Sequence, residues 1–326
     1  MFLYVGVMAD AYFSGGTLDD VMRSVIDAIR LHGGRIHPSK GWATELTGVL
    51  LELTDPRARL SRTETRGKPY SCLGELCWYL AKTNKLNFIS YYIPRYKDYA
   101  EGDEVFGAYG PRLFDWKGLN QLANVTDLLG RKRDSRQAVI QLFDGHDIVG
   151  EHGDVPCTCT VQFMLRQGVL QMFISMRSND AFIGLPHDIF CFTMIQEIVA
   201  RTLSVELGTY KHAVGSLHLY DTDEEAAQQF LGEGWQSTQA PMPSMPVGDP
   251  WSEITLLLRA ESAIRTTGIF DDAILGEASP YWADLIRLLQ VFSWKKREGS
   301  MDKIKELRGR MSSGIYLPFI DKMLSQ

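Results

Sequence analysis

Apolar positions recur at helical spacing through residues 18–32, LDDVMRSVIDAIRLH, where Val21, Val25, Ile26, Ile29 and Leu31 line one face. Thr17 stands ahead of the run as an N-cap with Asp19 and Asp20 in the first turn, and Gly33-Gly34 ends the predicted helix. Residues 45–53, ELTGVLLEL, read as a strand closed by the Asp55-Pro56 turn. A buried helix is predicted over 71–82, SCLGELCWYLAK, with Glu75 as its one acid. Residues 85–120, rich in Tyr, Gly and Lys, read as irregular, followed by a helix over 116–130 and a strand over 137–143. Two apolar runs around Gly168 predict a hairpin at 159–178. A long apolar helix over 188–205 and a strand over 213–220 come next. Four prolines mark 238–250 as a loop, and the remainder is mostly helical, most clearly at 279–294. The apolar first ten residues, MFLYVGVMAD, read as a buried strand, because they lack the basic start of a signal peptide. The mixture predicts an α+β fold: one large sheet flanked by helices, in a single unit over 1–326 without internal repeats.

Charge and composition narrow the function. Lys+Arg is 34 against Asp+Glu 40, a net charge of −6, which argues against a nucleic-acid binder but not against a small anionic ligand held by a few arginines. No apolar run approaches the ~20 residues of a membrane span, so no membrane partner is expected. Five cysteines in a chain of 326 residues do not read as a secreted disulfide framework, and a reducing cytoplasm is the expected location. Cys157-Thr-Cys159 lacks the spacing of a zinc knuckle, and the seven histidines form no HxxxH pair, so no metal site is expected.

Chemistry gathers in the second third of the chain. On an alternating strand, residues 157, 159 and 161 share one face. Cys157 follows Pro156 where a loop becomes a strand, a place for a nucleophile if a cation lowers its pKa. The plainer reading is a buried structural cysteine. Arg177-Ser178-Asn179-Asp180 at a strand end can hold a phosphate. Gly184-Leu185-Pro186-His187-Asp188 leads into a helix, where Asp188 taken alone reads as a helix N-terminal charge.

Taken together, PCTCTVQF, then RSND, GLPHD and GSLHLY resemble the thymidylate synthase superfamily in order and spacing. GELCWYLAKTN, the AYG at 108–110 and the DSRQ at 134–137 add to the likeness, which covers residues 17–222, with 223–326 divergent and mainly helical. The resemblance implies the thymidylate synthase fold, dimerised back to back through its sheet. It implies 5,10-methylenetetrahydrofolate as cofactor and a thiolate that adds to C6 of a pyrimidine nucleotide. C5 then takes up the one-carbon unit, and the exocyclic methylene that forms is either reduced to methyl or hydrated to hydroxymethyl.

By this resemblance Cys157 is the nucleophile, with Arg177 near both the thiol and the phosphate, and Ser178 on the phosphate. Arg136 corresponds to the arginine given across the dimer to the partner's phosphate. Gln137 replaces the usual second arginine, so Arg133 or Lys132 is recruited, and Lys40 is a candidate for the N-terminal phosphate contact. Each of these cations can equally be a solvated surface charge. Glu75 corresponds to the glutamate that orders water and relays protons, and burial is expected to raise its pKa. Tyr109 assists C5 proton removal, Gln162 lies near the base, and His218 and Tyr220 hold the ribose. Asp180 and Gly184 belong to the pterin side, as does Tyr96 or Tyr99 in place of a tryptophan.

Asp188 stands where thymidylate synthases carry Asn and the family's cytidylate hydroxymethylases carry Asp. A carboxyl can accept from the 4-amino group of cytosine and, when protonated, donate to N3. Such buried pairing can discriminate by ~10⁴ or more. The tyrosines near the folate and the IDKMLSQ ending favour hydration over hydride transfer. The expected activity is therefore 5-hydroxymethylation of CMP or dCMP. A thymidylate synthase-type methylation and an inactive nucleotide-binding protein are the alternatives.

Overall fold

The computed structural model describes residues 11–268, 275–297 and 299–325. The strand expected over residues 1–10 lies outside the described residues. The first helix, α1 (Leu18–His32), forms where its spacing predicts, with Thr17 and Asp20 closing a reciprocal capping box and Gly33 as C-cap. Its face of Val21, Met22, Val25, Ile26 and Ile29 is fully buried against the sheet.

Among the described residues the sheet has seven strands: β1 (Tyr12–Gly15), β2 (Gly34–Ile36), β3 (Ala43–Leu53), β4 (Val139–Gln141), β5 (Thr158–Arg166), β6 (Val169–Asp180) and β7 (Glu206–Tyr220). They lie in the order β1-β3-β7-β6-β5-β4, with β2 paired to β3. The β1–β3 and β6–β7 pairs are parallel and the others antiparallel. The expected hairpin is present as β5–β6. Its Gln167-Gly168 turn has φ of 51° and 80°, the doubly left-handed turn that suits strand twist.

Several boundaries differ from the sequence reading. The 85–120 region holds the helices α3 (Leu86–Tyr92) and α4 (Tyr109–Phe114) and a 3₁₀ turn at Pro94–Asp98. The helix expected from 116 begins only at α5 (Gln121–Arg131). Lys117 and Gly118 adopt left-handed φ in a tight turn, and Asn120 caps the helix by accepting from the Ala123 amide. The strand expected over 137–143 shortens to β4. The long helix starts earlier, as α6 (Gly184–Thr202), because Pro186 sits in its first turn, where no intrahelical N–H is required. β7 likewise begins at Glu206 rather than 213. A bulge between Thr158 and Thr160 breaks the strict alternation expected of β5. Cys159 therefore does not share a face with Val161, which is buried.

β6, α6 and β7 form a β-α-β crossover, and α6 is apolar nearly all round because it lies between the sheet and α2 (Pro69–Leu80). The helices α7 (Glu224–Gly232), α8 (Trp251–Thr267), α9 (Pro280–Lys296), α10 (Met301–Gly309) and α11 (Leu317–Ser325) complete the described chain. α8 and α9 pack on each other and on the far side of α2. One contiguous hydrophobic cluster runs from Leu18 to Ile320, so the C-terminal helices share the core of the sheet.

α2 is held at close range by this packing. At Gly74 an added Cβ would fall 2.1 Å from Cγ of Tyr92. The Tyr92 ring cannot withdraw, because its hydroxyl donates to Glu261 (2.8 Å) and its face stacks on Phe292. Gly74→Ala is expected to destabilise the protein by about 1–3 kcal/mol through overpacking, read as a fall in thermal midpoint. An unchanged midpoint would mean that α2 and α3 are not locked in this register.

Candidate active site

Three elements converge on one cleft: the start of β5, the end of β6 with the first turn of α6, and the middle of α2. Cys157 is the last residue before β5 and is partly exposed. Its carbonyl accepts from the Arg177 amide at 2.8 Å, which ties the loop to β6. The Arg177 guanidinium donates to the carbonyls of Pro156 (3.0 Å) and Val155 (2.8 Å), clasping the segment that carries the thiol. Tyr109, at the start of α4, accepts from both the amide and the hydroxyl of Thr158 at 3.0 Å. Its own proton is thereby left to point elsewhere.

The net shift at the Cys157 thiol runs opposite to the expected lowering. Burial pushes it up to about 11; Arg177 pulls the other way, but the carboxyls of Asp188 and Asp154 work against it, with Lys40 adding a weaker downward pull. Asp154, three residues before the thiol, is itself raised by burial despite Lys40, Arg177 and Arg112.

Glu75 also departs from expectation. Burial works against its charge, yet His187 and two tyrosine hydroxyls outweigh burial and hold the carboxyl below the usual glutamate range. His187 Nδ1 lies 2.7 Å from Oε2, while Tyr96 (2.7 Å) and Tyr79 (3.2 Å) donate to Oε1. Burial opposes the imidazolium as well, but the Cys72 sulfur and Glu75 raise His187 to about 10. The neighbouring Asp188 is pushed up to about 8, by burial first and then by the charge of Glu75, and His187 and an Asn179 hydrogen bond only partly reverse this. Two carboxyl groups in one cleft thus have opposite protonation at neutral pH, Glu75 ionised and Asp188 neutral.

The β6–β7 register sets Asp180 beside His218. The Asp180 Oδ1 accepts from the amides of Phe182 (2.9 Å) and Ile183 (2.8 Å), shaping the turn into α6. Gly184 supplies space: a Cβ there would sit 2.8 Å from Asn179 Oδ1. His218 and Tyr220 meet edge to face, with ring centres 4.8 Å apart. Ser178 lies between Arg177 and Asn179, paired with Ser216 in the register. Of the two candidate tyrosines, Tyr96 reaches Glu75 and packs edge-on against Trp78, whereas Tyr99 lies under the Lys40 ammonium, 3.9 Å from its ring centre.

Other expected contacts are not assembled within one chain. Gln162 lies further along β5, where its amide donates to the Arg136 carbonyl (3.0 Å), so it groups with Arg136 rather than with Cys157. Arg133 and Arg136 are exposed before β4.

The sequence reading passed over His187, Asp154 and a buried polar chain behind Asp188. In that chain Asn179 bonds to His212 Nε2 (3.3 Å), and His212 Nδ1 bonds to Tyr210 (3.1 Å). Burial lowers His212 to about 3, so its imidazole is neutral. His187 stands in the same GLPHD motif as Asp188, which was its one local signal. Its partner is 112 positions away, beyond any spacing rule.

The thymidylate synthase family model matches residues 60–254. A deoxyuridylate hydroxymethyltransferase of Delftia phage PhiW-14 is 26% identical over 230 residues, covering 66% of this chain and 63% of the phage protein. One of Bacillus phage SP01 is 27% identical over 250 residues, covering 71% and 65%. One of Pseudomonas phage M6 is 30% identical over 162 residues, covering 48% and 46%. The chain therefore spans less than two thirds of each of these relatives. With more than half of its length matched by the family model and its large mixed sheet flanked by helices as described, the chain belongs to the thymidylate synthase family.

Proposed function

We propose that the protein hydroxymethylates C5 of a cytidine monophosphate, CMP or dCMP, through a covalent adduct between Cys157 and C6. Nucleotide, 5,10-methylenetetrahydrofolate and water would give the 5-hydroxymethyl nucleotide and tetrahydrofolate. What supports this reading most is the placement of Asp188, whose carboxyl burial and the nearby Glu75 push up to about 8 while His187, Tyr96 and Tyr79 hold Glu75 low.

A neutral carboxyl offers one O–H donor and a carbonyl acceptor. Against cytosine the acceptor takes the 4-amino hydrogen and the O–H points at N3. Because N3 of cytosine is basic, the proton can move to it as the thiolate adds, drawing electrons from C6. The relatives named for deoxyuridylate support a second reading. A neutral Asp188 can also accept from N3–H of uracil and donate to O4, but no basic ring nitrogen then receives its proton.

The remaining roles follow from position. Arg177, Ser178 and Lys40 would hold the phosphate, with Arg136 and Arg133 serving a second subunit of a homodimer. His218 and Tyr220 would hold the ribose, and Tyr109 would pass on the C5 proton. The folate, when bound, supplies the one-carbon unit that C5 takes up. The donor set fits such a group: both amide bonds to Asp180 fall on Oδ1, leaving Oδ2 for pterin N–H donors, and Tyr96 and Tyr220 offer aromatic walls. A phenol hydroxyl of Tyr96 on Glu75 keeps this wall polar, which supports hydration over hydride transfer.

Two outcomes test this reading. Alkylation of Cys157 in the free protein should rise with pH toward a midpoint near 11, and bound nucleotide should lower that midpoint as its phosphate draws Arg177 off the carbonyls of residues 155 and 156. A midpoint below 8 in the free protein would contradict the geometry. In the second test, kcat/KM is measured for CMP, dCMP, UMP and dUMP, with product mass and folate oxidation state. Cytosine nucleotides should be preferred and tetrahydrofolate released. Asp188→Asn should lower the cytosine rate by about one to two decades, through loss of the charge-assisted bond that forms as the Asp188 proton moves to N3, and raise the uracil rate. An unchanged ratio would reduce Asp188 to a helix-terminal charge.

A further inference from the structure

Glu75 and His187 can be assigned protons by counting hydrogen bonds. A carboxylate offers about four acceptor positions. Tyr96 and Tyr79 occupy two on Oε1 and His187 Nδ1 occupies one on Oε2, so one stays open. On the other side of the ring, Ser71 Oγ donates to the Lys68 carbonyl (3.3 Å). With its hydrogen on that carbonyl, the hydroxyl accepts from His187 Nε2, also at 3.3 Å, which places a hydrogen on Nε2. Nδ1 faces a carboxylate and carries the other. Both ring nitrogens therefore act as donors, and the ring is an imidazolium.

The groups that face this pair come from every element packed on it. α2 contributes Ser71, Cys72 and Tyr79, the 3₁₀ turn contributes Tyr96, the loop before β5 contributes Asp154, and α6 contributes Asp188 and Cys191. None of these is a cation. The other cations near this pair act on its neighbours: Lys40 and Arg177 on Asp154 and Cys157, and Arg66 and Lys68 on Cys72. His187 is thus the contact that can compensate a charge on Glu75, and a buried carboxyl without such a partner takes up a proton.

We propose that His187 is a positioning residue for the hydration step: its imidazolium keeps Glu75 a carboxylate, with its open oxygen position free to take a proton from the water that adds to the exocyclic methylene of the nucleotide. This rests on the hydroxymethylation reading above. The water oxygen bonds to the methylene carbon and one water proton passes to Glu75. The exocyclic electron pair moves into the C5–C4 bond, then returns to form C5=C6 and expels Cys157 as thiolate. No oxidant or reductant enters, and Glu75 returns its proton to solvent. Tyr79 and Tyr96, both held as phenols by burial, orient the carboxylate without neutralising it.

The test compares wild type with His187→Phe and His187→Gln, the latter keeping a hydrogen-bond donor without the charge and guarding against a Phe variant that fails to fold. Formation of the hydroxymethyl nucleotide is followed against pH. Separately, the Glu75 carboxyl carbon is titrated by ¹³C NMR in the substrate-free protein, assigned with Glu75→Gln. Removing the cation should move the acid limb of kcat and the Glu75 midpoint upward together, by about one unit or more. On the acid limb, below the shifted midpoint, kcat should fall about tenfold for each unit that the midpoint moves and recover as pH rises, while KM for the nucleotide changes little. His187→Gln should lie between. An unmoved Glu75 midpoint overturns the role of His187, whatever reaction the protein runs. A wild type that forms no hydroxymethyl nucleotide overturns the reaction reading instead, and the carboxyl titration still decides the pairing.

Discussion

The cost of placing a carboxylate inside an apolar helix governs the arrangement of this cleft. Glu75 lies on α2 among Leu73, Leu76, Cys77 and Trp78, all buried, and it is tolerated there because donors reach it from three elements. Once Glu75 is charged, its like-charge effect falls on Asp188, one residue beyond His187, and helps to keep that carboxyl neutral. The same cation thus serves one acid and leaves the next protonated. The proposed chemistry uses both states, Glu75 as a base toward water and Asp188 as a donor toward the pyrimidine ring.

The fold delivers these groups by a few constraints. The parallel β6–β7 pair requires a crossover, and α6 provides it, so the β6 terminus and the α6 first turn meet at the sheet edge of the cleft. Arg177 on β6 fixes the Cys157 loop through three bonds to its backbone, which makes the guanidinium a structural clasp until a phosphate competes for it. The C-terminal helices α8 and α9 brace α2 from behind through Glu261, Tyr92 and Phe292. Their packing therefore bears on how Glu75 is held.

Local signals in the sequence were enough to read α1, its cap, the β5–β6 hairpin and α2, because each is encoded by spacing or turn chemistry within a few residues. The ordered motifs were enough to place Cys157, Arg177, Asp180, Asp188, His218 and Tyr220 at one end of the sheet. Protonation was not legible. Burial of Glu75 was expected to raise its pKa, but the sign depends on His187 and Tyr96, which reach it from distant segments. The reverse error arose at Cys157, where Arg177 was visible in sequence but the opposing Asp154 and the depth of burial were not. The bulge at Thr158–Thr160 shows the same limit in backbone form, since one extra residue changes the face of Cys159 without any mark in composition.

Neutron diffraction from a deuterium-exchanged crystal at neutral pD observes directly where protons reside among Glu75, His187 and Asp188. Deuterium is expected on both nitrogens of His187 and on the Asp188 carboxyl, and none on Glu75. Deuterium on Glu75 together with a bare Asp188 carboxylate would contradict this assignment of protons.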